Sequence, residues 1–411
     1  MSDQFTIETP EQLMELLQTA AAQQTPVYPV GGATSLDFGL PAKQPGWNVD
    51  LTGLNRVIDY PAADMTITVQ AGMRIKDLQQ TLAANQQQLP LDVPQADRAT
   101  VGGVLATNFS GHRRFGYGTA RDYVIGIRAI DGRGEAFAGG GRVVKNVAGY
   151  DFCKLLIGSL GTLGIITEVT FKLRPLPNHT EALIVAPQNL AQLDELLERL
   201  GQSVAQPIAV EWLVGPQWQS LAKQQGWPAG AINVGWLALL LEGLPAEVAW
   251  MHAQLQRDAN EVVGAAWCTV TAADAIAKLQ GELTEFPVAG TPPLAIKASV
   301  LPSRVTRFVQ SVLEVDPQAD VQAHAGNGIV RVKLSEYPAA GMGKTVSGRW
   351  QSEANRCGGN VIVLANRDNV ETTARATWGV PSGPVAIMQQ IKARFDPQQI
   401  LNPGRFVYGN L

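Results

Sequence analysis

Three glycine-rich stretches in the first half of the sequence contain the residue types that can hold a phosphate group. The first stretch follows the apolar run at residues 27–30. It consists of Gly31, Gly32, Ala33, Thr34 and Ser35. Consecutive glycines after a strand let main-chain N–H groups converge on an anion, which can hold a diphosphate without a lysine. For one such loop alone, a tight structural turn is an equally good interpretation.

Two further stretches repeat this chemistry and add hydroxyl and amide groups. The second contains Thr100, Gly102, Gly103, Thr107 and Asn108, and the third contains Gly158, Gly161, Thr162, Gly164, Ile165 and Ile166. A dinucleotide needs bare main chain for its phosphates, hydroxyl or amide partners for its ribose and apolar walls for its adenine. Three such loops in one region therefore predict a dinucleotide site rather than three unrelated turns.

The spacing of the glycines argues against the two commonest nucleotide motifs. Gly158, Gly161 and Gly164 lack the GxGxxG spacing and precede a strand pattern, so a Rossmann domain is not expected. The run at residues 343–345 resembles the end of a P-loop. Pro338 stands where the first glycine of that loop should be, so we interpret the match as chance.

Histidine is the side chain most often used as a catalytic base, and the sequence has four. His179 lies in a predicted linker and His252 in a predicted helix, and we expect surface roles for both. His112, in the basic run HRR, fits a substrate clamp and a solvated turn equally well. His324 is the candidate base, with Arg331 seven residues later as a candidate ligand for a carboxylate.

The elements that must position these residues fall into two patterns. In the first half, helix, strand, glycine turn and strand alternate until a proline pair near residue 176. In the second half, strand patterns at 183–185, 208–214 and 236–242 alternate with helix patterns at 190–200 and 246–259, which predicts an α+β domain whose antiparallel sheet is covered by helices. A last helix is predicted at 385–394. The predicted domains are residues 1–176, 177–384 and 385–411.

Composition excludes several classes of protein. Glycine accounts for 41 of 411 residues, and 15 of these lie between Gly102 and Gly164, where they follow no collagen-like repeat. A net charge of −4 gives no field for binding nucleic acid. Three scattered cysteines without a CxxC motif encode no iron–sulfur or zinc site and favour the cytoplasm. No apolar run is long enough to span a bilayer, so we expect only peripheral membrane association through partners.

Five motifs occur in an order that resembles the flavoprotein family of vanillyl-alcohol oxidase and the D-lactate dehydrogenases. They are PVGGATSL, TVGGVLATNFSG, RFGYGTARDYVIGIRAIDGRGE, GSLGTLGIITEVTFKL and DPQQILNPGRF. The run at residues 145–152 is similar to that of FAD-binding subunits of bacterial glycolate oxidases. The resemblance implies a two-subdomain FAD-binding domain with an α+β cap domain, and a C-terminal segment that returns to the cofactor.

The resemblance also implies where FAD binds. It places the pyrophosphate on residues 31–35, with the second stretch beside it. Arg121 and Asp122 close the second stretch, the main chain of Ile165 and Ile166 meets adenine, and Asn402 returns to the flavin. Relatives with covalent flavin have a histidine directly after the first loop. Alanine and threonine stand at that point of this sequence, so non-covalent FAD is expected.

The activity implied by the resemblance is oxidation of a small 2-hydroxy acid, glycolate to glyoxylate. Electrons would pass through the flavin within a complex that also holds a catalytic flavoprotein subunit and an iron–sulfur subunit. Catalytic relatives carry the motif HAGDGNLH, but here Arg331 replaces the second histidine after His324. One imidazole without a nearby carboxylate is a poor metal site, so no metal is expected.

Alternatives stay open for the role of His324 and for the function of the chain. His324 can be a base with Arg331 or Lys333 as carboxylate ligand, or this run can be a purely structural strand. The chain can also be a self-sufficient 2-hydroxy-acid dehydrogenase, or a flavin-holding scaffold without a redox role. In each case a cytoplasmic location is expected, at most peripheral to the inner membrane.

Overall fold

A computed structural model describes residues 3–42, 44–141, 150–263, 266–288, 290, 292–368, 370–379 and 383–406. Residues 145–149 of the run that resembles glycolate oxidase subunits lie outside this range. Within the described ranges, no helix is both long and apolar enough to cross a membrane.

The strands are numbered in chain order. They are β1 (Gln4–Thr6), β2 (Val27–Val30), β3 (Trp47–Asp50), β4 (Val57–Asp59), β5 (Thr66–Gln70), β6 (Gln87–Gln88), β7 (Val124–Ile130), β8 (Ala136–Gly140), β9 (Ile165–Lys172), β10 (Arg174–Pro175), β11 (His179–Ala186), β12 (Ala209–Val214), β13 (Trp236–Gly243), β14 (Ala266–Val270), β15 (Leu294–Ser299), β16 (Asp320–His324), β17 (Ile329–Lys333) and β18 (Asn360–Asn366).

The α-helices are numbered in the same way. They are α1 (Pro10–Gln23), α2 (Ile75–Ala83), α3 (Val101–Thr107), α4 (Arg114–Tyr117), α5 (Ala120–Tyr123), α6 (Phe152–Leu156), α7 (Leu190–Gln202), α8 (Pro216–Gln225), α9 (Pro245–Val263), α10 (Ala273–Glu285), α11 (Val305–Leu313), α12 (Gln351–Arg356), α13 (Ala374–Trp378) and α14 (Val385–Phe395). A π-helical stretch, Gly343–Trp350, leads into α12 and contains the run that resembled a P-loop.

The chain forms two compact units. Unit 1 comprises Met1–Ser110, Gly118–Leu176 and Val380–Leu411, and unit 2 comprises Gly111–Tyr117 and Pro177–Gly379. The sequence assigned Gly111–Tyr117 to the first domain, but in the structure this segment packs with unit 2. We call it the 111–117 segment.

The described part of unit 1 contains three sheets, of which the smallest is the antiparallel pair β6 and β10. Strands β1, β3 and β2 form a parallel sheet in that order, and β4-β5-β9-β7-β8 form a five-stranded antiparallel sheet. Helix α1 starts at Pro10, because Thr9 and Gln12 form a capping box and proline suits the first turn. Its buried leucines pack with Val27 of β2 and with Leu401 near the C-terminus. The tail is therefore part of the core of this unit.

Unit 2 is built on one antiparallel sheet of eight strands, in the order β14-β11-β13-β12-β16-β17-β15-β18. Residues of α7, α9 and α11 pack on one face, and residues of α8 and α10 pack on the other face around β11, β13 and β12. This architecture confirms the predicted α+β class with an antiparallel sheet covered by helices.

One local prediction in unit 1 was wrong. Residues 100–107 read as a glycine loop, but residues 101–107 form helix α3. The Thr100 side chain accepts a hydrogen bond from the Gly103 N–H and caps this helix. A Cβ on Gly102 would lie 3.0 Å from the Ala71 Cβ, so the glycine allows α3 to pack closely against the residue that follows β5.

Candidate functional site

The first glycine stretch lies directly after β2, and its main chain packs closely against residues 98–100. A Cβ on Gly31 would lie 2.2 Å from Thr100 Oγ1, and a Cβ on Gly32 would lie 1.8 Å from the Arg98 carbonyl oxygen. Ala33 has a φ of 55°, in the left-handed region. Among the described residues, the N–H groups of residues 31–35 donate to no main-chain carbonyl. The loop therefore presents main-chain donors to a ligand.

The third stretch follows α6 and also has left-handed main chain. Gly158 has a φ of 88° and Gly161 a φ of 66°, and a Cβ on Gly161 would lie 3.0 Å from Pro29 Cγ. The Thr162 hydroxyl donates to the Ser159 carbonyl oxygen at 2.6 Å. This hydrogen bond holds the hydroxyl within the turn. It does not support the predicted role of Thr162 as a ligand for the cofactor.

The three stretches line two adjacent hollows, which we call the glycine cleft. The larger hollow has a volume of about 540 Å³ and the smaller about 80 Å³, and Gly31, Thr100 and Gly103 line both. The larger one is also lined by Gly32, Ala33, Thr34, Ser35, Thr107 and Asn402, and the smaller one by Gly102, Gly161, Gly164, Ile165 and Ile166. Most of the predicted cofactor residues are thus brought together.

The other predicted cofactor residues do not line these hollows. Arg121 donates to the Ile157 carbonyl oxygen at 3.2 Å, and the Asp122 carboxylate accepts the Thr119 N–H at 2.7 Å as a helix cap. Asn108 ends α3 in the left-handed conformation, and a Cβ on Gly158 would lie 3.4 Å from its side chain. Asn108 Oδ1 is buried and has no hydrogen-bond partner within the described structure, so it could accept a hydrogen bond from a ligand.

The C-terminal tail is fixed to the cleft by a buried ion pair that the sequence reading missed. Lys392 Nζ donates to the Thr162 carbonyl oxygen at 2.7 Å, to the Leu401 carbonyl oxygen at 3.2 Å and to the Asp396 carboxylate. Burial lowers the pKa of Lys392, and the charge of Asp396 opposes that shift. The i, i+4 spacing of Lys392, in the last predicted helix, and Asp396, just after it, was the signal available in the sequence.

Arg405 and Asn402 bring the tail to the cleft itself. Asn402 Nδ2 donates to the Leu160 carbonyl oxygen at 2.7 Å, and Arg405 Nη1 donates to the Phe38 carbonyl oxygen at 2.9 Å. Arg405 is the one charged side chain among the described residues that line the larger hollow. The cleft therefore offers main-chain donors, hydroxyl groups and a single cation, which fits a dinucleotide diphosphate.

A second group of polar side chains lies on one face of the unit 2 sheet. Cross-strand pairing places Lys297 opposite Arg331, and Arg331 opposite Gln322. Glu211 lies opposite His324. Residues that are directly opposite, or two apart along a strand, share one face of a sheet. We call these five residues the polar cluster, which draws on four neighbouring strands.

The centre of the polar cluster is an imidazole held by a carboxylate. His324 Nδ1 lies 2.6 Å from Glu211 Oε1, and Gln322 Nε2 donates to Glu211 Oε2 at 2.9 Å. His324 is 1% exposed and Glu211 is 0% exposed. His324 Nε2 has no hydrogen-bond partner among the described residues. The expectation that no carboxylate lies near His324 was wrong, because Glu211 comes from a strand more than a hundred residues earlier.

The charges around His324 keep its imidazole neutral. Burial lowers its pKa well below the usual value, and Arg331, His112, Arg114 and Lys297 lower it further. Burial and the neighbouring arginines also lower the pKa of Lys297, to about 8. Since Glu211 lies at Nδ1, that nitrogen carries the hydrogen of the neutral ring and Nε2 carries a lone pair.

The remaining histidines are also placed by the fold. His112 is 1% exposed, which excludes the solvated turn. His252 was expected on the surface, but it is partly buried, with Nδ1 2.8 Å from Glu181 Oε2, and His179 Nε2 lies 2.8 Å from the other oxygen of the same carboxylate. Across the described ranges, no three histidine, cysteine, aspartate or glutamate side chains are placed to hold a metal ion.

The fold and the glycine cleft define a dinucleotide-binding flavoprotein with an antiparallel cap domain. Residues 5–139 match the model of the FAD binding domain, and residues 380–406 match that of the C-terminal domain of FAD linked oxidases. The chain is an FAD-linked oxidoreductase, and FAD is its cofactor. The predicted cofactor is thereby confirmed.

Several curated proteins are similar to the chain. The D-lactate dehydrogenase of Anaerostipes hadrus is 28% identical over 97% of this chain and 88% of its own length. Glycolate oxidase subunit GlcD of Bacillus subtilis is 25% identical over 96% of this chain and 86% of its own length. Glycolate oxidase subunit GlcE of Escherichia coli is 31% identical over 49% of this chain and 56% of its own length.

A solved structure shows the same fold. p-Cresol methylhydroxylase with bound substrate superposes with a TM-score of 0.73 over 97% of this chain and 87% of that one, at 18% identity. The fold is that of the p-cresol methylhydroxylase and vanillyl-alcohol oxidase type of FAD protein, as predicted.

Proposed function

We propose that the chain oxidises a small 2-hydroxy acid with FAD as the electron acceptor. The observation that carries this proposal is the buried pair of His324 and Glu211 beside Arg331 and Lys297. Oxidation of a 2-hydroxy acid requires a base for the hydroxyl proton and cations for the carboxylate. The polar cluster contains both.

We assign a different role in the oxidation to each side chain of the pair His324 and Glu211 and to the two cations beside it. Glu211 holds the imidazole through Nδ1, which directs the lone pair of Nε2 away from the carboxylate, so that Nε2 can take the hydroxyl proton. Arg331 and Lys297 attract and orient the substrate carboxylate. Burial of the cluster strengthens these interactions by excluding water. The chemistry that FAD supplies when bound is two-electron acceptance from the carbon–hydrogen bond.

The residues that would hold FAD are those of the glycine cleft. The N–H groups of residues 31–35 would hold the diphosphate, and Thr100 and Thr107 offer hydroxyl groups on the same wall. Ile165 and Ile166 form an apolar wall for adenine. This proposal keeps the pyrophosphate on the first glycine stretch, as the resemblance implies.

The substrate that we propose is glycolate, which is oxidised to glyoxylate, within a complex that also contains a catalytic flavoprotein subunit and an iron–sulfur subunit. Similarity to two proteins named as glycolate oxidase subunits supports this assignment. Such a complex would lie in the cytoplasm, at most peripheral to the inner membrane. A self-sufficient dehydrogenase is the second candidate, because similarity to a D-lactate dehydrogenase extends over nearly the whole chain.

An anaerobic titration of the purified holo-protein tests the proposal. Glycolate and D-lactate are added separately, and the visible absorbance of the flavin is followed. Bleaching by glycolate in the isolated chain supports oxidation of that acid by this chain, and preferential bleaching by D-lactate supports the second candidate. If neither acid bleaches the flavin in the isolated chain or in a complex purified from the native cell, the proposed oxidation is wrong and a flavin-holding scaffold is favoured.

A further inference from the structure

The 111–117 segment is held on unit 2 by contacts that converge on one buried carboxylate. Arg113 Nη1 lies 3.3 Å from both oxygens of Glu242. Tyr117 Oη donates to Glu242 Oε2 at 2.8 Å, and Gln280 Nε2 donates to Glu242 Oε1 at 3.2 Å. The Glu242 side chain is 1% exposed, so its charge depends on these partners for compensation.

The main chain of the segment is fixed independently. The Gly116 N–H donates to the Ile208 carbonyl oxygen at 3.0 Å, immediately before β12. A Cβ on Gly326 would lie 2.4 Å from the ring of Phe115, so this ring packs directly on the turn that follows β16. The segment therefore contacts the two elements that supply the central residues of the polar cluster.

Two side chains of the segment act electrostatically on the candidate base. His112 and Arg114 both lower the pKa of the His324 imidazole. The other groups that face His324 are Glu211 on β12, Arg331 on β17 and Lys297 on β15. Among the described residues that shift the pKa of His324 by their charge, those of the 111–117 segment lie outside the sheet, whereas Arg331 and Lys297 lie on it.

We propose that Glu242 is a positioning residue for the oxidation, because its pairing with Arg113 and Tyr117 holds His112 and Arg114 beside His324. This inference rests on the proposed function. Glu242 itself lies on β13, outside the polar cluster. Its role is to fix the segment that carries His112 and Arg114. This keeps the base neutral and keeps the positive field that attracts the substrate carboxylate.

Substitution Glu242→Gln tests the role of this carboxylate. Glutamine keeps the size of the side chain and an acceptor for Tyr117, but it removes the negative charge that Arg113 faces at this position. We expect KM for the 2-hydroxy acid to rise about tenfold and kcat to change less, since a charge-assisted contact is lost. Withdrawal of positive charge from His324 raises its pKa, so the acidic limb of the kcat/KM profile moves to higher pH.

Two further variants separate positioning from stability. Glu181 lies on the adjacent strand β11, next to Thr180, which pairs with Glu242. Its carboxylate contacts His179 and His252 rather than the 111–117 segment, so Glu181→Gln is the matched control. It should leave KM and the pH profile unchanged. Tyr117→Phe removes the 2.8 Å hydrogen bond to Glu242 and should shift KM and the pH profile in the same direction as Glu242→Gln, by a smaller amount.

Limited trypsin digestion of the holo-protein gives a readout that is independent of activity. Cleavage after Arg113 or Arg114 should be faster in Glu242→Gln than in the wild type and unchanged in Glu181→Gln. If the wild type oxidises no 2-hydroxy acid, the proposed function is wrong. The digestion then still measures whether Glu242 holds the 111–117 segment in place. Equal digestion of wild type and Glu242→Gln, or an unshifted pH profile in an active Glu242→Gln enzyme, would overturn the positioning role.

Discussion

The glycine cleft and the polar cluster differ in which part of the chain forms them. The cleft is formed largely by main chain, and its glycines are required because a Cβ at Gly31 or Gly32 would overlap neighbouring atoms. The polar cluster is formed by side chains on regular strands, and its chemistry depends on charges that the fold buries. A cofactor site that relies on main chain can tolerate change of most side chains, whereas the polar cluster depends on each of its residues.

The comparison predicts that changes in the polar cluster affect turnover without affecting FAD. His324→Gln removes the proposed base and should lower kcat/KM by a factor of about 10²–10⁴. The flavin absorbance per protein should stay that of the wild type. The rate of flavin reduction in a stopped-flow experiment measures the effect. His252→Gln is the matched control, because that histidine is hydrogen-bonded to Glu181, outside the polar cluster. Loss of FAD from His324→Gln would contradict the division between the two regions.

Changes in the glycine cleft should show the reverse pattern. In Gly32→Ala the new Cβ would lie 1.8 Å from the Arg98 carbonyl oxygen, so the loop must move. We expect a loss of about 1–3 kcal/mol in stability, with a corresponding loss in FAD affinity. Fluorescence titration with FAD and thermal unfolding measure both. Gly201→Ala is the control, since a Cβ there meets nothing within 4 Å. Wild-type FAD affinity in Gly32→Ala would show that this close packing is unimportant.

The smallest expected effect is a pH dependence within the polar cluster. The pKa of Lys297 is lowered to about 8, so its ammonium is charged below that pH and neutral above it. KM for the hydroxy acid should therefore rise severalfold as the pH increases through about 8, while the Kd of FAD stays constant. In Lys297→Arg the charge persists and the rise should disappear. Measurement of KM on either side of this pH distinguishes the two. If KM rises in the same way in Lys297→Arg, the rise is caused by the titration of another group.

The sequence predicted the cleft better than the cluster for a physical reason. Glycines needed for close approach are visible as a local pattern, so the stretches at residues 31–35 and 158–166 could be recognised one by one. The polar cluster is assembled by strand pairing, which joins Glu211 to His324 and Lys297 to Arg331 across long separations. Nothing in the local pattern of β12 marks Glu211 as the partner of a histidine.

The fold was predictable to a similar extent. In the second half, alternation and helical spacing identified β11, β12, β13, α7, α9 and α14, with ends that differed by a few residues. They predicted none of the strands and helices between residues 266 and 378. Helix α3 was missed because two glycines in seven residues favour a loop, and the cap from Thr100 with packing on Ala71 overrides that preference. The 111–117 segment contacts Ile208 and Glu242, which lie far along the chain, so no local pattern marks its place in unit 2.

The tail has a consequence for how the protein is made. Arg405 and Phe38 contact each other across 367 residues of chain, and Lys392 fixes α14 to the third glycine stretch. A ribosome adds residues 392–405 after all the strands described above, since the last of them ends at Asn366. The first glycine stretch can therefore fold early, but its cofactor site is closed only when the tail has emerged. The cleft that holds FAD is therefore complete only after Asn402 and Arg405 have been synthesised.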